Sequence, residues 1–161
     1  MATKGNSELI KGIPQIKDAF VVIVKTEWNA HIVNELALGC EQALTEAGVT
    51  YETITVPGAF EIPFIIRRLH DRQNGNRADA FIALGSVVRG DTPHFDYVCK
   101  GVTDGIVQLN LTLDVPVIFG ILTVNNEEQA QERIGGVHGH KGQEAALTAI
   151  KMIGLNRQTS F

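Results

Sequence analysis

The sequence predicts an α/β protein of the flavodoxin-like type, a three-layer sandwich around a central four-stranded parallel sheet. Short apolar runs rich in β-forming residues alternate with longer segments of helical periodicity. The runs are unbroken, which is typical of parallel strands buried on both faces. At 161 residues the chain is too short for an eight-stranded barrel, which typically needs ~250 residues. Right-handed crossovers then place helices on both sides of one sheet.

The first part of the chain contains two strands and the helix between them. Residues 20–24 form a continuous apolar run, and Asn29 is a suitable N-cap for the helix that follows. Apolar residues recur at helical spacing over 32–47, and Gly48 ends that helix. Thr50–Val56 is rich in β-forming residues and predicts the second strand.

The rest of the chain continues the same alternation, because Pro57 and Gly58 break the second strand before another helical pattern begins. The predicted elements are a helix at 62–69, a strand at 80–88, a helix at 95–109, a strand at 115–124, a helix at 127–134, a flexible glycine-rich turn at 135–142 and a helix at 143–153.

These elements predict one domain over residues 19–161, preceded by an N-terminal arm over residues 1–18. The arm is too short to fold alone, so it either frays or pairs with another subunit. Three apolar residues within it, Ile10, Ile13 and Ile16, favour pairing.

Composition excludes several classes of protein. The formal net charge is −4 and the 14 Lys and Arg residues form no run, so neither a nucleic acid nor another polyanion is an expected partner. The N-terminus has no apolar segment of the kind that a signal peptide or a membrane span needs. Cys40 and Cys99 are too few for a disulfide framework and favour a reducing compartment. We therefore expect a cytoplasmic protein without membrane contact.

The loop after the third strand carries the strongest signal for chemistry. Residues 85–92 resemble the nucleotide P-loop, but Asp91 stands where that loop has its lysine. A carboxylate there disfavours a nucleoside triphosphate, while one phosphate held by backbone N–H groups at a helix N-terminus stays compatible. His94 adds a titratable group nearby, and packing or capping is an equally simple role for it. Arg89 either helps to hold the phosphate or simply faces water, and the second role is favoured.

Other polar and aromatic residues leave alternatives open. Trp28, in the turn after the first strand, is either a hydrophobic plug or a stacking platform for a planar ligand. Glu61 in a helix first turn is typical of dipole compensation. His138, His140 and Glu144 lack the spacing of a known metal site, so we expect no metal.

Five sequence blocks together carry a family resemblance. They are V-P-G-A-F-E-I-P, L-G-S-V-V-R-G-D-T-P-H-F-D-Y-V, P-V-I-F-G-I-L-T, E-Q-A-Q-E-R and H-K-G-Q-E-A-A. In this order and spacing, across residues 20–157, the chain resembles lumazine synthase. The resemblance implies a transferase of riboflavin biosynthesis without a cofactor. Its reaction condenses 5-amino-6-(D-ribitylamino)uracil with 3,4-dihydroxy-2-butanone 4-phosphate, giving 6,7-dimethyl-8-ribityllumazine, phosphate and water.

The resemblance also implies a role for each site residue. His94 is implied to transfer protons, and Glu144 to orient the histidine and the arginine. The butanone phosphate is bound by Asp91, Thr92 and Arg133. The ribitylaminouracil is bound by Trp28, Ala59, Phe60, Glu61, Ser86, Val87, Val88, Phe119 and Lys141.

Phe119 and Lys141 match residues that the family contributes from an adjacent subunit, and Phe119 lies inside a predicted strand where an intrachain site would not reach it. The resemblance therefore implies a homo-oligomer with shared active sites, built of pentamers in which the N-terminal arm joins a neighbour's sheet. In many members twelve pentamers form an icosahedral shell, and the short turn at 135–142 permits this. Association with riboflavin synthase is a further expected partnership.

Two departures and two alternatives accompany this interpretation. Glu27 stands where the family often has arginine, and His140 where it often has asparagine. One alternative is a non-catalytic flavin or lumazine carrier with the same fold, which the presence of His94, Arg133 and Lys141 disfavours. The other is a phosphate-sensing module, which has no use for residues that match a site between subunits.

Overall fold

The structure is a computed structural model that describes residues 11–72 and 77–159. The elements are β1 (Phe20–Thr26), α1 (Ala30–Glu46), β2 (Thr50–Val56), a 3₁₀ turn (Ala59–Glu61), α2 (Ile62–His70), β3 (Ala80–Val88), α3 (His94–Thr112), β4 (Val117–Val124), α4 (Glu127–Gln131), β5 (Ile134–Gly136), β6 (Gly139–His140) and α5 (Lys141–Thr159).

Four parallel strands form the central sheet in the order β2-β1-β3-β4. Val21 pairs with Tyr51 on one side and with Ala80 on the other, which fixes the register of β2, β1 and β3. Helices cover both faces, so the unbroken apolar runs of β1 and β3 are buried on both sides. The predicted α/β class and the four-stranded parallel sheet are confirmed.

Two apolar cores lie on opposite faces of the sheet. Alternate residues of β3 divide between them: Ile82 and Leu84 pack towards α1 and α5, while Phe81 and Ala83 pack towards α2 and α3. Cys40 lies in the first of these cores. Burial raises the pKa of its thiol to about 12, so it is a small apolar group at neutral pH.

The strand β4 begins at Val117, two residues later than predicted. Pro116 has no N–H group to donate to a ladder. The side-chain amide of Asn110 pairs with Val117 instead, donating to its carbonyl oxygen at 2.8 Å and accepting from its N–H at 2.9 Å. The side-chain amide of Asn110, from α3, thus forms the two hydrogen bonds that a neighbouring strand would otherwise form with Val117.

Asn29 stands at the start of α1, but it does not cap the helix with its side chain as predicted. Its backbone is left-handed, with φ of 58°, and its side chain forms no capping hydrogen bond. The Nδ2 group donates instead to the carbonyl oxygen of Ser86 at 2.8 Å. Asn29 therefore ties the first βα turn to the end of β3.

The segment predicted as a helix and a flexible turn is more ordered than expected. The helix α4 ends at Gln131, and β5 and β6 then form a short antiparallel hairpin. Gly135 has φ of 115°, a conformation that L side chains rarely adopt. The last helix extends beyond the predicted 143–153 at both ends, from Lys141 to Thr159.

Part of the predicted N-terminal arm packs on its own chain. Ile16 is buried in the core beside α5, and Ile13 packs against that core. Arg157 donates to the carbonyl oxygen of Lys17 at 2.8 Å. Ile13 and Ile16 thus pack within the chain, pairing with another subunit stays a prediction, and Ile10 lies outside the described residues.

In the described part of the chain, the helices are all too short or too polar to cross a membrane.

Candidate active site

An open cleft of about 650 Å³ lies beyond the carboxyl ends of β1, β2 and β3. This is where open parallel sheets bind ligands. Nine of the residues that the sequence assigns to a site line it together, namely Trp28, Ala59, Phe60, Glu61, Ser86, Val87, Val88, Thr92 and His94.

Trp28 forms one wall of the cleft. Its side chain is 73% exposed, which excludes the role of a hydrophobic plug that the sequence left open. The turn that carries it is held by two hydrogen bonds, from Thr26 Oγ1 to the Trp28 carbonyl oxygen at 3.1 Å and from the Trp28 N–H to the Pro57 carbonyl oxygen at 3.2 Å. A held, exposed indole provides a flat apolar surface for a planar ring.

The turn after β2 forms a second wall. Ala59, Phe60 and Glu61 make one 3₁₀ turn before α2. The Phe60 ring lies against Gly101 of α3, so close that a Cβ atom at Gly101 would stand 2.5 Å from the ring. The ring itself remains 61% exposed. This close approach between α3 and the turn is what holds the ring at the edge of the cleft.

His94 is the first residue of α3, and its N–H donates to Thr92 Oγ1 at 3.4 Å. Tyr97 lies one turn further along the helix and lines the same cleft. Tyr97 was not among the predicted site residues, although it lies three residues after His94 and residues three apart share a helix face. Asp91 is exposed between two lining residues, Gly90 and Thr92, but does not line the cleft.

Arg89 does not simply face water, the role that its sequence context favoured. Its guanidinium group contacts the carboxylate of Asp96, the side-chain oxygen of Asn125 and the ring of Phe95. The contact with Asn125 was not predictable from the sequence, because Asn125 is distant in the chain and lies near Arg89 only through the pairing of β3 with β4.

A second cavity, of about 470 Å³, runs along β4 at the edge of the sheet. Phe119, Lys141 and Glu144 line it, and the Phe119 ring is 41% exposed. Lys141 Nζ donates to both carboxylate oxygens of Glu144, at 2.9 and 2.8 Å. Glu144, which was expected to orient a histidine and an arginine, thus contacts the lysine within this chain.

Arg133 lies beside this second group. Its carbonyl oxygen accepts from the Lys141 N–H at 2.8 Å, which ties the two residues to the same hairpin. Its guanidinium donates to the Gln129 carbonyl oxygen at 2.7 Å and lies 3.6 Å from a Glu132 carboxylate oxygen. The side chain is 20% exposed.

The site residues predicted from the sequence therefore form two groups within one chain. The linings of the two cavities have no residue in common. The first group, with His94 and Trp28, surrounds the carboxyl ends of three strands. The second, with Phe119, Lys141, Glu144 and Arg133, lies along β4 and the hairpin.

His140, at the end of the hairpin, packs directly on α1. A Cβ atom at Gly39 would lie 2.2 Å from its ring. Burial lowers the pKa of His140, and the carboxylates of Glu35 and Glu144 oppose that shift. Across residues 11–72 and 77–159, His, Cys, Asp and Glu side chains form no group of three that could hold a metal ion.

Comparison with known proteins places the chain in a family. The family model described as 6,7-dimethyl-8-ribityllumazine synthase matches residues 18–157. A protein of that name from Porphyromonas gingivalis is 49% identical over 150 residues, covering 91% of each chain. Another, from Christiangramia forsetii, is 46% identical, covering 100% of this chain and 98% of its own. A third, from Bacteroides fragilis, is 50% identical, covering 81% of this chain and 92% of its own. The chain belongs to the 6,7-dimethyl-8-ribityllumazine synthase family.

Proposed function

We propose that this chain catalyses the condensation of 5-amino-6-(D-ribitylamino)uracil with 3,4-dihydroxy-2-butanone 4-phosphate. The products are 6,7-dimethyl-8-ribityllumazine, phosphate and water. Two observations carry the proposal: relatives of that name match nearly the whole chain, and seven of the nine residues implied for the pyrimidine substrate line one cleft. The domain over residues 19–161 is the proposed catalytic unit. A cytoplasmic location and association with riboflavin synthase stay predictions.

The proposed pyrimidine subsite lies between Trp28 and the end of β3. The exposed indole of Trp28 suits stacking on the planar ring of the uracil. Backbone groups of residues 86–88 lie at the carboxyl end of β3, where they can bind the polar edge of that ring. Residues 59–61 form the wall along which the ribityl chain extends.

The proposed phosphate subsite lies at the start of α3. Backbone N–H groups near a helix N-terminus favour an anion, and Thr92 adds a hydroxyl there. Asp91 contributes through its backbone, since its carboxylate repels a phosphate. Arg133 supplies the countercharge, because a guanidinium group binds phosphate through two parallel hydrogen bonds.

The chemistry needs groups that move protons and position two substrates. An amine that attacks a ketone must lose protons, and the oxygen that departs as water must gain them. His94 at the cleft is the proposed group for these transfers. Positioning is expected to contribute more than proton transfer, because amines and ketones react once they are held in contact. A contribution of ~10² in turnover is therefore expected for His94.

The active site is proposed to form between two subunits. Phe119 and Lys141 line the second cavity rather than the first, and Arg133 accepts a backbone hydrogen bond from Lys141, so a neighbour would bring all three to the cleft. Each subunit then contributes Arg133, Phe119 and Lys141 to one neighbour through one surface, and its own cleft receives these residues from the other neighbour. Such a head-to-tail interface closes into a ring. A pentamer is the proposed ring, and twelve such rings would form the shell.

The activity test mixes the wild-type protein with both substrates and measures the fluorescent lumazine that forms. Two substitutions, studied in the same assay, then test the roles assigned to single residues. His94→Ala is expected to lower kcat by about 10². Arg133→Ala is expected to raise the KM for the phosphorylated substrate much more than the KM for the pyrimidine. A wild-type protein that forms no lumazine would refute the proposed function. Equal changes in both KM values would refute the phosphate role of Arg133.

A further inference from the structure

We propose that Arg89 is a positioning residue that holds His94 in place for the reaction, and with it Thr92, whose hydroxyl oxygen accepts from the His94 N–H. This inference rests on the function proposed above. Arg89 is not among the residues assigned to substrate, yet it connects three segments of the chain. These are the end of β3, the β4–α4 loop and the first turn of α3.

The contacts of Arg89 approach from different directions. Its Nε donates to Asn125 Oδ1 at 3.1 Å, and its Nη2 donates to Asp96 Oδ1 at 3.0 Å. The centre of the guanidinium lies 4.1 Å from the centre of the Phe95 ring. The N–H of Arg89 donates to the Val124 carbonyl oxygen at 2.9 Å, which anchors the residue to β4. Arg89 therefore links the end of β3 to the β4–α4 loop and to the first turn of α3, and this set of contacts is called the brace below.

The brace acts on His94 because its two partners in α3 follow His94 directly in the chain. Phe95 and Asp96 are the second and third residues of that helix. The link from Arg89 to His94 along the backbone is residues 90–93, an exposed turn in which a Cβ atom at Gly90 would touch nothing within 4 Å. The brace thus bypasses this turn and fixes the helix start relative to the sheet.

Lysine cannot replace this arrangement. A guanidinium group is planar, presents several N–H groups in fixed directions and stacks on an aromatic ring, whereas an ammonium group is a point charge. The Arg89–Asp96 pair is exposed, with side chains 43% and 60% accessible, and exposed pairs add little to folding stability. Loss of the brace should therefore change catalysis more than stability.

The test compares Arg89→Ala and Arg89→Lys with Lys100→Ala as the matched control. Lys100 forms an exposed ion pair with Asp104 in the same helix but does not line the cleft. Both Arg89 variants are expected to lower kcat about tenfold or more, because a small misplacement of reacting groups is costly. They should also raise the KM for the phosphorylated substrate and leave the KM for the pyrimidine within about twofold. Lys100→Ala should match the wild type.

A second comparison separates positioning from a general structural role. In a His94→Ala background, Arg89→Ala should cause little further loss of kcat, because the group that it positions is already absent. If the fold-loss of kcat in the double variant equals the product of the fold-losses in the two single variants, the proposal is overturned. A wild-type kcat in both Arg89 variants would also overturn it.

Amide hydrogen exchange gives a readout that does not need activity. Arg89→Ala should speed exchange at residues 95–98 and leave α5 unchanged, and Lys100→Ala should not. Unchanged exchange at residues 95–98 would overturn the brace even in an active enzyme. A wild-type protein that makes no lumazine would instead refute the proposed function, and the exchange result would then decide on the brace alone.

Discussion

Gly142 lies at a close contact between α1 and α5, and its substitution by alanine should lower the free energy of unfolding. Gly142 is buried, and it follows Lys141 at the start of α5. A Cβ atom there would lie 1.9 Å from the carbonyl oxygen of Leu36 and 2.8 Å from its carbonyl carbon. Both atoms belong to the backbone of α1, so no side-chain rotation relieves the clash.

The magnitude follows from that distance. Real Cβ contacts essentially never fall below 3.0 Å, so a separation of 1.9 Å requires the two helices to move apart by about 1.1 Å. Overpacking of this kind costs ~1–3 kcal/mol, and better helix propensity offsets up to ~1 kcal/mol of it. A net loss of ~2 kcal/mol corresponds to a fall of about 4–8 °C in melting temperature for a chain of this size.

The assay is thermal and denaturant unfolding of Gly142→Ala beside Gly154→Ala, a control in the same helix. A Cβ atom at Gly154 would meet the ring of Pro14, with Cγ at 2.9 Å and Cβ at 3.5 Å, and a proline ring yields more easily than a helix backbone. We expect the control to lie within ~1 kcal/mol of the wild type. A Gly142→Ala protein as stable as that control would refute the close packing of α1 on α5 described above.

Two other perturbations test separate parts of the structure. Gly101→Ala should push the Phe60 ring into the cleft and raise the KM for the pyrimidine several-fold, up to about tenfold. The control is Gly105→Ala, whose Cβ would instead meet Pro63 Cγ at 2.6 Å and which should leave that KM unchanged. Equal changes of KM in the two variants, measured by steady-state kinetics, would count against the Phe60 subsite. Burial lowers the pKa of His140 from its ordinary 6.5, so the unfolded chain binds a proton that the folded chain resists, and the free energy of unfolding should fall as pH drops below about 6.5. His140→Asn should remove that part of the loss in urea titrations between about pH 7.5 and about pH 5.5, and an unchanged pH dependence would exclude His140 as its source.

The regular elements were predictable because their signals are local. The bounds of β2 and β3 match the prediction, since each strand is a run rich in β-forming residues that turn-forming residues follow. The cleft was predictable for a related reason: loops that follow parallel strands meet at one edge of the sheet, so Trp28, Phe60 and His94 had to lie near one another.

The remaining features depend on contacts that a sequence does not display. The side chain of Asn29 donates a hydrogen bond to the carbonyl oxygen of Ser86 instead of capping its own helix, because the end of β3 lies beside it. Arg89 is braced by Asn125, which only the sheet pairing brings close. The hairpin of β5 and β6 is too short and too rich in glycine to show a strand pattern, and its pairing depends on packing against the helices around it.

The measurement that tests the shared site most directly is activity after mixing two defective chains. His94→Ala and Arg133→Ala chains are unfolded, mixed in equal amounts and refolded together, and lumazine formation is followed at a low concentration of the phosphorylated substrate. If one subunit supplies His94 and its neighbour supplies Arg133, about one quarter of the mixed sites are intact, and about a quarter of wild-type activity should return. The same two proteins combined without unfolding should stay nearly inactive. A refolded mixture no more active than its better parent would contradict a site built between subunits.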